Sequence, residues 1–189
     1  MRELEVTAVS AFNDLPRMNL SVRLTDLDGR GIALCTVRGR RRSELDTAVN
    51  RNFGVGLPPA GECARGHDVL IVALGPDSWM LIKDCVANDF FEKVHQAVTG
   101  VASVVDQSDG YAQLRLSGPR SREILATGAS INLNEDAFPV SRAATTQIAH
   151  VTVTIWRLPD TAGDPTYELS LPRSFATSFL EWLSARAQS

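Results

Sequence analysis

The residues best suited by type and spacing to do chemistry lie in one short stretch, Asp106-Gln107-Ser108-Asp109-Gly110. Two carboxylates and a hydroxyl this close can serve acid–base work if a pocket and a proton-transfer partner surround them. The same residues, at a strand end and before a glycine, also form a turn whose side chains bond the backbone. Arginines make the second group. Arg120, Arg122 and Arg173 sit beside expected helix starts, where helix-end N–H groups and a guanidinium hold an anion together and positive charge opposes the helix dipole. An external carboxylate or an acidic partner residue is the expected counterpart, which marks Arg120 and Arg173 as interface residues. Arg38, Arg40, Arg41 and Arg42 form the densest basic run, read either as a solvated helix entrance or as a contact for an acidic partner or anionic ligand.

Other chemistries leave weaker traces. Cys35, Cys63 and Cys85 are odd in number and lack C-x-x-C spacing, so buried inert thiols are expected rather than a disulfide framework or a zinc site. His67, His95 and His150 are widely spread, and His150, inside a β-branched run, reads as a sheet histidine. Trp79, Trp156 and Trp182 read as core or interface anchors, with Trp182 assigned to an interface. The Gly54-Val55-Gly56 pair lacks the third glycine of a dinucleotide fingerprint and is followed by two prolines where a helix would begin. The residues taken alone therefore give no catalytic, cofactor-binding or metal-binding set.

The elements that must position these groups follow from pattern. A chain of 189 residues with 44% hydrophobic content can bury a sizeable core. Its net charge of −3 gives no basic face for nucleic acid, and its apolar runs, such as residues 69–74, are strand-sized. The charged start Met1-Arg2-Glu3-Leu4-Glu5 lacks a signal-peptide core, so a cytoplasmic protein without a membrane partner is expected. Residues 1–17 read as an arm, 18–56 as a first hairpin-helix unit, and 57–189 as the main region, packed with the first as one globular unit. Hairpins are expected over residues 20–37, 71–82 and 104–117, the last opening a helix at Gly118-Pro119. Helices are expected from Ser43 to about Asn52, after an Asn88 or Asp89 cap, and from Ser174 to about Ala187, the last with Phe175, Phe179, Trp182 and Leu183 on one side. Residues 145–158 read as one long strand. Strand pairs joined by short turns and alternating with single helices give an α+β fold of antiparallel, ferredoxin-like hairpin-plus-helix units, because such turns cannot make a parallel crossover.

Three motifs in order carry a resemblance. Ala73-Leu74-Gly75-Pro76-Asp77-Ser78-Trp79-Met80-Leu81, then Val105 to Gly110, then Leu116-Ser117-Gly118-Pro119-Arg120-Ser121-Arg122-Glu123-Ile124-Leu125 resemble the gamma subunit of heterotetrameric sarcosine oxidase. Phe138-Pro139-Val140, Leu171-Pro172-Arg173-Ser174-Phe175-Ala176 and Leu180-Glu181-Trp182-Leu183 match as well, so coverage runs from about Leu57 to the end. The resemblance implies a fold like the folate-binding domain of aminomethyltransferases, in a complex of alpha, beta, gamma and delta subunits that oxidatively demethylates sarcosine. The implied products are glycine, hydrogen peroxide, and formaldehyde or methylene-tetrahydrofolate. It also implies FAD, FMN, NAD and zinc in partner subunits, none in this chain, tetrahydrofolate as a ligand of the complex, and packing mainly against alpha. The alternative is a stand-alone folate-binding or aminomethyl-transfer protein, whose pterin pocket would need a buried carboxylate such as Asp106 or Asp109.

Overall fold

In the computed structural model of the chain, residues 9–12, 15, 21–83 and 89–188 are described. In chain order the elements are β1 (Arg23–Asp26), β2 (Gly31–Val37), α1 (Arg42–Phe53), β3 (Cys63–Arg65), β4 (Val69–Gly75), β5 (Ser78–Lys83) and α2 (Phe90–Ala97). There follow β6 (Ala102–Asp106), β7 (Tyr111–Ser117), α3 (Ser121–Ala126), β8 (Ala143–Ile148), β9 (Val151–Thr161), β10 (Asp164–Pro172), a 3₁₀ turn Arg173–Phe175 and α4 (Ala176–Gln188). The strands form two antiparallel sheets, β1-β7-β10-β9-β8 and β3-β4-β5-β2-β6. An α+β fold with antiparallel sheets is thus what the chain adopts.

Three clusters of buried side chains define four layers. Ala33, Cys35, Ile71, Trp79 and Leu81 of the second sheet pack on Leu45 and Val49 of α1 and Phe90 and Val94 of α2. Leu114, Leu116, Val153, Ile155, Leu169 and Leu171 of the first sheet pack on Ile124 of α3 and on Phe179 and Leu183 of α4. Between the sheets, Ile32, Leu70, Val72, Met80 and Ile82 meet Ala143 and Trp156. Each sheet therefore buries both faces. That is why β4 reads as a continuous apolar run rather than an alternating one. One edge of the sandwich is also stitched, since Cys63 donates its N–H to the Ser141 carbonyl at 2.8 Å and Ala143 donates to Gly61 at 2.9 Å.

Local signals explain where elements stop. Leu45, Val49 and Phe53, four residues apart, give α1 its buried stripe, and Gly54 ends it in the left-handed region at φ 71° with its N–H on the Asn50 carbonyl. Asp89 stands at the start of α2, where its carboxylate pairs with Lys93 at 2.8 Å instead of capping the backbone. Cys85, Asn88 and most of the expected arm lie outside the described residues.

Three strand assignments need correction. β1 pairs with β7 and β2 pairs with β5 and β6, so the chain crosses between sheets at residues 27–30 and the expected first hairpin does not form. Likewise β6 lies in the second sheet and β7 in the first, so the Ser108-Asp109-Gly110 turn carries the chain from one layer to the other. The long β-branched run, in contrast, is a true hairpin of β8 and β9. Its two turn residues, Ala149 at φ 51° and His150 at φ 66°, are left-handed as a tight hairpin turn requires, without the Asn-Gly that normally announces one. His150 is therefore an exposed turn residue and not a sheet histidine. The hairpin of β4 and β5 forms as expected, with a register shift between Ala73 and Gly75. In the last helix Phe179 and Leu183 are buried, whereas Phe175 falls in the 3₁₀ turn and is 47% exposed.

Candidate functional site

The deepest charged group sits between the sheets. On β10, Tyr167, Leu169 and Leu171 face the helices, so Thr166, Glu168 and Ser170 must face the interlayer. On β7 the same alternation sends Gln113 and Arg115 inward, and they pair in register with Ser170 and Glu168. The fully buried Glu168 carboxylate accepts from Arg30 Nη1 at 3.2 Å, Arg115 Nε at 3.0 Å and Trp156 Nε1 at 3.1 Å. Arg30 comes from the crossover between β1 and β2, so this cluster ties together the crossover and strands of the first sheet. A carboxylate whose oxygens already serve two guanidiniums and an indole is built to hold strands in place, not to move protons.

The acidic turn is a structural corner. Asp106 Oδ1 accepts from the Ser108 N–H at 3.0 Å and from its hydroxyl at 2.7 Å, while Ser108 Oγ takes the Ile32 N–H at 3.0 Å. This self-bonding turn anchors the layer change to β2. Asp106 and Asp109 are exposed, so neither supplies the buried carboxylate that a pterin pocket calls for. The buried carboxylates of Glu168 and Asp28 are already committed, to Arg30 and Arg115 and to Arg173 respectively.

The structure brings Arg173 to that corner. Its N–H donates to the Gly110 carbonyl at 3.0 Å, its guanidinium lies 2.8 Å from Asp28 Oδ2, and Nη2 donates to the Val9 carbonyl. Val9, Asp28, Ser108, Asp109 and Arg173 line a cleft of about 250 Å³. Arg120 pairs with Glu123 at 3.0 Å one turn along α3, which raises the affinity of its guanidinium for its proton and holds the Glu123 carboxyl below the usual range. Arg122 lies 3.7 Å from Glu135 and donates to the Tyr167 hydroxyl at 3.2 Å. Each of these arginines thus meets a carboxylate of its own chain.

The basic run after β2 is similarly occupied. Arg38 donates to Ser103, Arg41 to Glu44 and to the Gly100 carbonyl, and Arg42 to the Pro76 carbonyl while lying 5.1 Å over the Trp79 ring. These contacts clamp the entrance of α1 to two neighbouring turns. Burial pushes the Cys35 and Cys63 thiols up to about 11, against the nucleophilic thiolate form. Among the described residues, no group of three or more His, Cys, Asp or Glu side chains could hold a metal ion. Among the described residues no helix is long and apolar enough to cross a membrane.

Sequence reasoning passes over Glu168, Arg30, Arg115 and Arg157. Arg157 on β9 is 1% exposed and reaches the Phe138 carbonyl at 3.3 Å, Glu135 at 3.3 Å and Asp160 at 3.1 Å, fastening residues 135–138 to the sheet. An arginine amid the apolar and β-branched side chains of 151–158 is the one signal that could have found it.

A four-layer fold with its buried charges locked into structural pairs is compared most usefully with whole folds. The GCVT N-terminal domain family matches residues 56–189. The gamma subunit of sarcosine oxidase from Corynebacterium sp. (strain U-96) is 33% identical over 162 residues, covering 82% of this chain and 76% of that one. Its counterpart from Arthrobacter sp. is 31% identical over 160 residues with the same coverage. A chain of the heterotetrameric sarcosine oxidase from Corynebacterium sp. U-96, solved with pyrrole 2-carboxylate, superposes with a TM-score of 0.81 at 23% identity, over 96% of this chain and 95% of that chain. The glycine cleavage system aminomethyltransferase T from Bartonella henselae gives a TM-score of 0.70 at 17% identity, with 89% of this chain covering 47% of that one. Fold and sequence together define a protein built on the GCVT N-terminal domain. Within that class, the chain belongs to the sarcosine oxidase gamma-subunit family.

Proposed function

We propose that this chain is the gamma subunit of a heterotetrameric sarcosine oxidase, contributing assembly rather than an active site of its own. The observation that carries this reading is the near full-length agreement in fold with a chain of such a complex, joined to the identity with gamma subunits. The interior supports it too, since Glu168 is saturated by its arginines and Asp106 closes its own turn. In this reading the partners are the alpha, beta and delta subunits, with alpha the main contact, and the complex is cytoplasmic. FAD, FMN, NAD and zinc reside in those partners. The complex converts sarcosine to glycine, releasing hydrogen peroxide and formaldehyde, or methylene-tetrahydrofolate when tetrahydrofolate is bound. A stand-alone folate protein fits less well, because Asp106 and Asp109, the carboxylates expected for its pterin pocket, are exposed and the buried Glu168 and Asp28 are held by arginines.

The docking face in this reading lies around Arg173. Val9 is 64% exposed and Phe175 47% exposed beside it, and an aromatic next to an arginine is the composition that anchors interfaces. Phe175→Asp changes an exposed side chain, so the fold should persist. Co-purification of the other subunits with a tagged chain should fall at least tenfold, roughly 1.4 kcal/mol of interface energy. Recovery of the full complex at the wild-type level would remove this face from the interface.

A further inference from the structure

Rows of side chains cross the inner face of the first sheet, and they are not equally satisfied. In one row, Arg115 and Trp156 both donate to Glu168. In the next, Gln113 lies opposite Ser170, and Ser170 opposite Thr154. Gln113 is 1% exposed and Ser170 is fully buried, yet among the described residues neither Oε1 nor Nε2 of Gln113, nor Oγ of Ser170, has a hydrogen-bond partner. Buried polar groups are ordinarily paired, because each one left alone has given up the bonds that water supplied. Thr154 does not relieve them, since its hydroxyl is 3.0 Å from that of Thr145.

A cavity borders this row. Tyr111 and Pro172 stand two residues along β7 and β10 from Gln113 and Ser170, hence on the same face, and with Thr154 they line a space of about 220 Å³. Leu74 and Met80 of the second sheet close it from the other side, and the exposed Thr145 and Thr152 form its rim. The volume is below that of pockets for drug-sized ligands, so the occupant is small. Among the described residues lining the cavity none is charged, and a carboxylate or an ammonium would enter it without a counter-charge. The Gln113 carboxamide offers a donor and an acceptor side by side, and the complement of that pair is another amide.

We propose that this cavity binds a small uncharged molecule carrying an amide. The ligand's N–H and carbonyl pair with the Gln113 carboxamide, Ser170 Oγ is a further partner, and its apolar body lies among Leu74, Met80 and Tyr111. The site is built from this chain alone, so it stands or falls separately from the assembly role.

The test uses the full chain, isotope-labelled and followed by NMR, with benzamide as probe and the charged benzoate as its control. Benzamide should shift the side-chain NH2 signals of Gln113 and the backbone amide of Ser170 along a saturating curve, and benzoate should bind at least tenfold more weakly. Gln113→Met keeps the length of the side chain and removes two unpaired atoms. Without ligand it should melt no lower than the wild type, and its affinity for benzamide should fall at least tenfold. Ser170→Ala, a smaller change, should weaken benzamide in the same direction. A Gln113→Met chain that melts lower than the wild type would show that Gln113 is satisfied within the protein, and the proposal would fall. Equal binding of the two probes, or unchanged benzamide affinity in both variants, would also overturn it. So would the absence of a saturable shift at millimolar benzamide, which would leave water as the only partner of the two side chains.

Discussion

Replacing Glu168 with alanine is expected to be the most damaging single change in the chain. The carboxylate is fully buried between two sheets and balances Arg30, itself 7% exposed, as well as the partly exposed Arg115. Without it, the Arg30 guanidinium, almost wholly out of water, loses the buried carboxylate it pairs with, and the Trp156 indole N–H loses its acceptor. Removing one partner of such a buried pair typically costs about 3–5 kcal/mol. For a chain of this size that corresponds to a fall in melting temperature of roughly 6–20 °C. The companion variant separates charge from packing. Glu168→Met combined with Arg30→Met removes the pair together and should recover a large part of the loss, because two apolar side chains of similar length need no compensation. Thermal unfolding followed by circular dichroism measures both. A Glu168→Ala protein as stable as the wild type would mean that the interlayer is hydrated and the cluster is not the clamp inferred from its geometry.

Arg157→Met should have the second largest effect, with a different character. The guanidinium is buried on β9 and serves the Phe138 carbonyl and the carboxylates of Glu135 and Asp160. Those carboxylates are 69% and 37% exposed, so water can take over when the arginine is lost. The Phe138 carbonyl and the packing of the long side chain cannot be replaced in that way. The expected cost is about 2–3 kcal/mol, the range for losing a charge-assisted hydrogen bond in a buried setting. The damage should concentrate in residues 131–140, which run as turns between α3 and β8. Limited proteolysis should cut the variant within that stretch before any other place. Cleavage that begins elsewhere would show that this segment is held by Leu133 and Phe138 in the core and not by Arg157.

The sequence and the structure agree where local signals decide and part where layers decide. The fold class, a helix from Ser43 to about Asn52 and the hairpin over residues 71–82 are all legible in the sequence, because apolar spacing and turn chemistry are local. The sheet to which a strand belongs is not local. β6 and β7 flank a turn of good hairpin composition, yet the Ser108 hydroxyl is tied to β2 and the chain passes to the other layer. The β8–β9 hairpin was hidden for the opposite reason, since Ala149 and His150 adopt a turn conformation that their residue types do not announce.

The functional groups follow the same division. Alternation on β7 and β10 makes Gln113, Arg115 and Glu168 look solvent-facing, an inference that holds only for a sheet with one buried face. Here the second face is covered by another sheet, so the polar stripe is interior and its charges are paired. The turn at Asp106 to Gly110 drew notice by composition, and its hydrogen bonds are structural. A cleft at Trp182, between α4 and the β8–β9 hairpin tip, depends on a glycine, a hairpin tip and a helix that are distant in sequence, so the sequence reading of Phe179 and Trp182 as one helix side and of His150 as a sheet histidine gives no sign that they line one cavity.

The central claim, that the chain works as one subunit of a sarcosine oxidase, is tested most directly by its native composition. A tagged full-length chain recovered from its own cells, then assayed for bound flavin, subunit ratio and sarcosine-dependent hydrogen peroxide, is the decisive preparation. The expected result is a yellow complex holding this chain in equal amount with three other subunits and releasing peroxide when sarcosine is added. A folded chain recovered alone, colourless and without sarcosine-dependent peroxide in any fraction that contains it, would contradict the assignment.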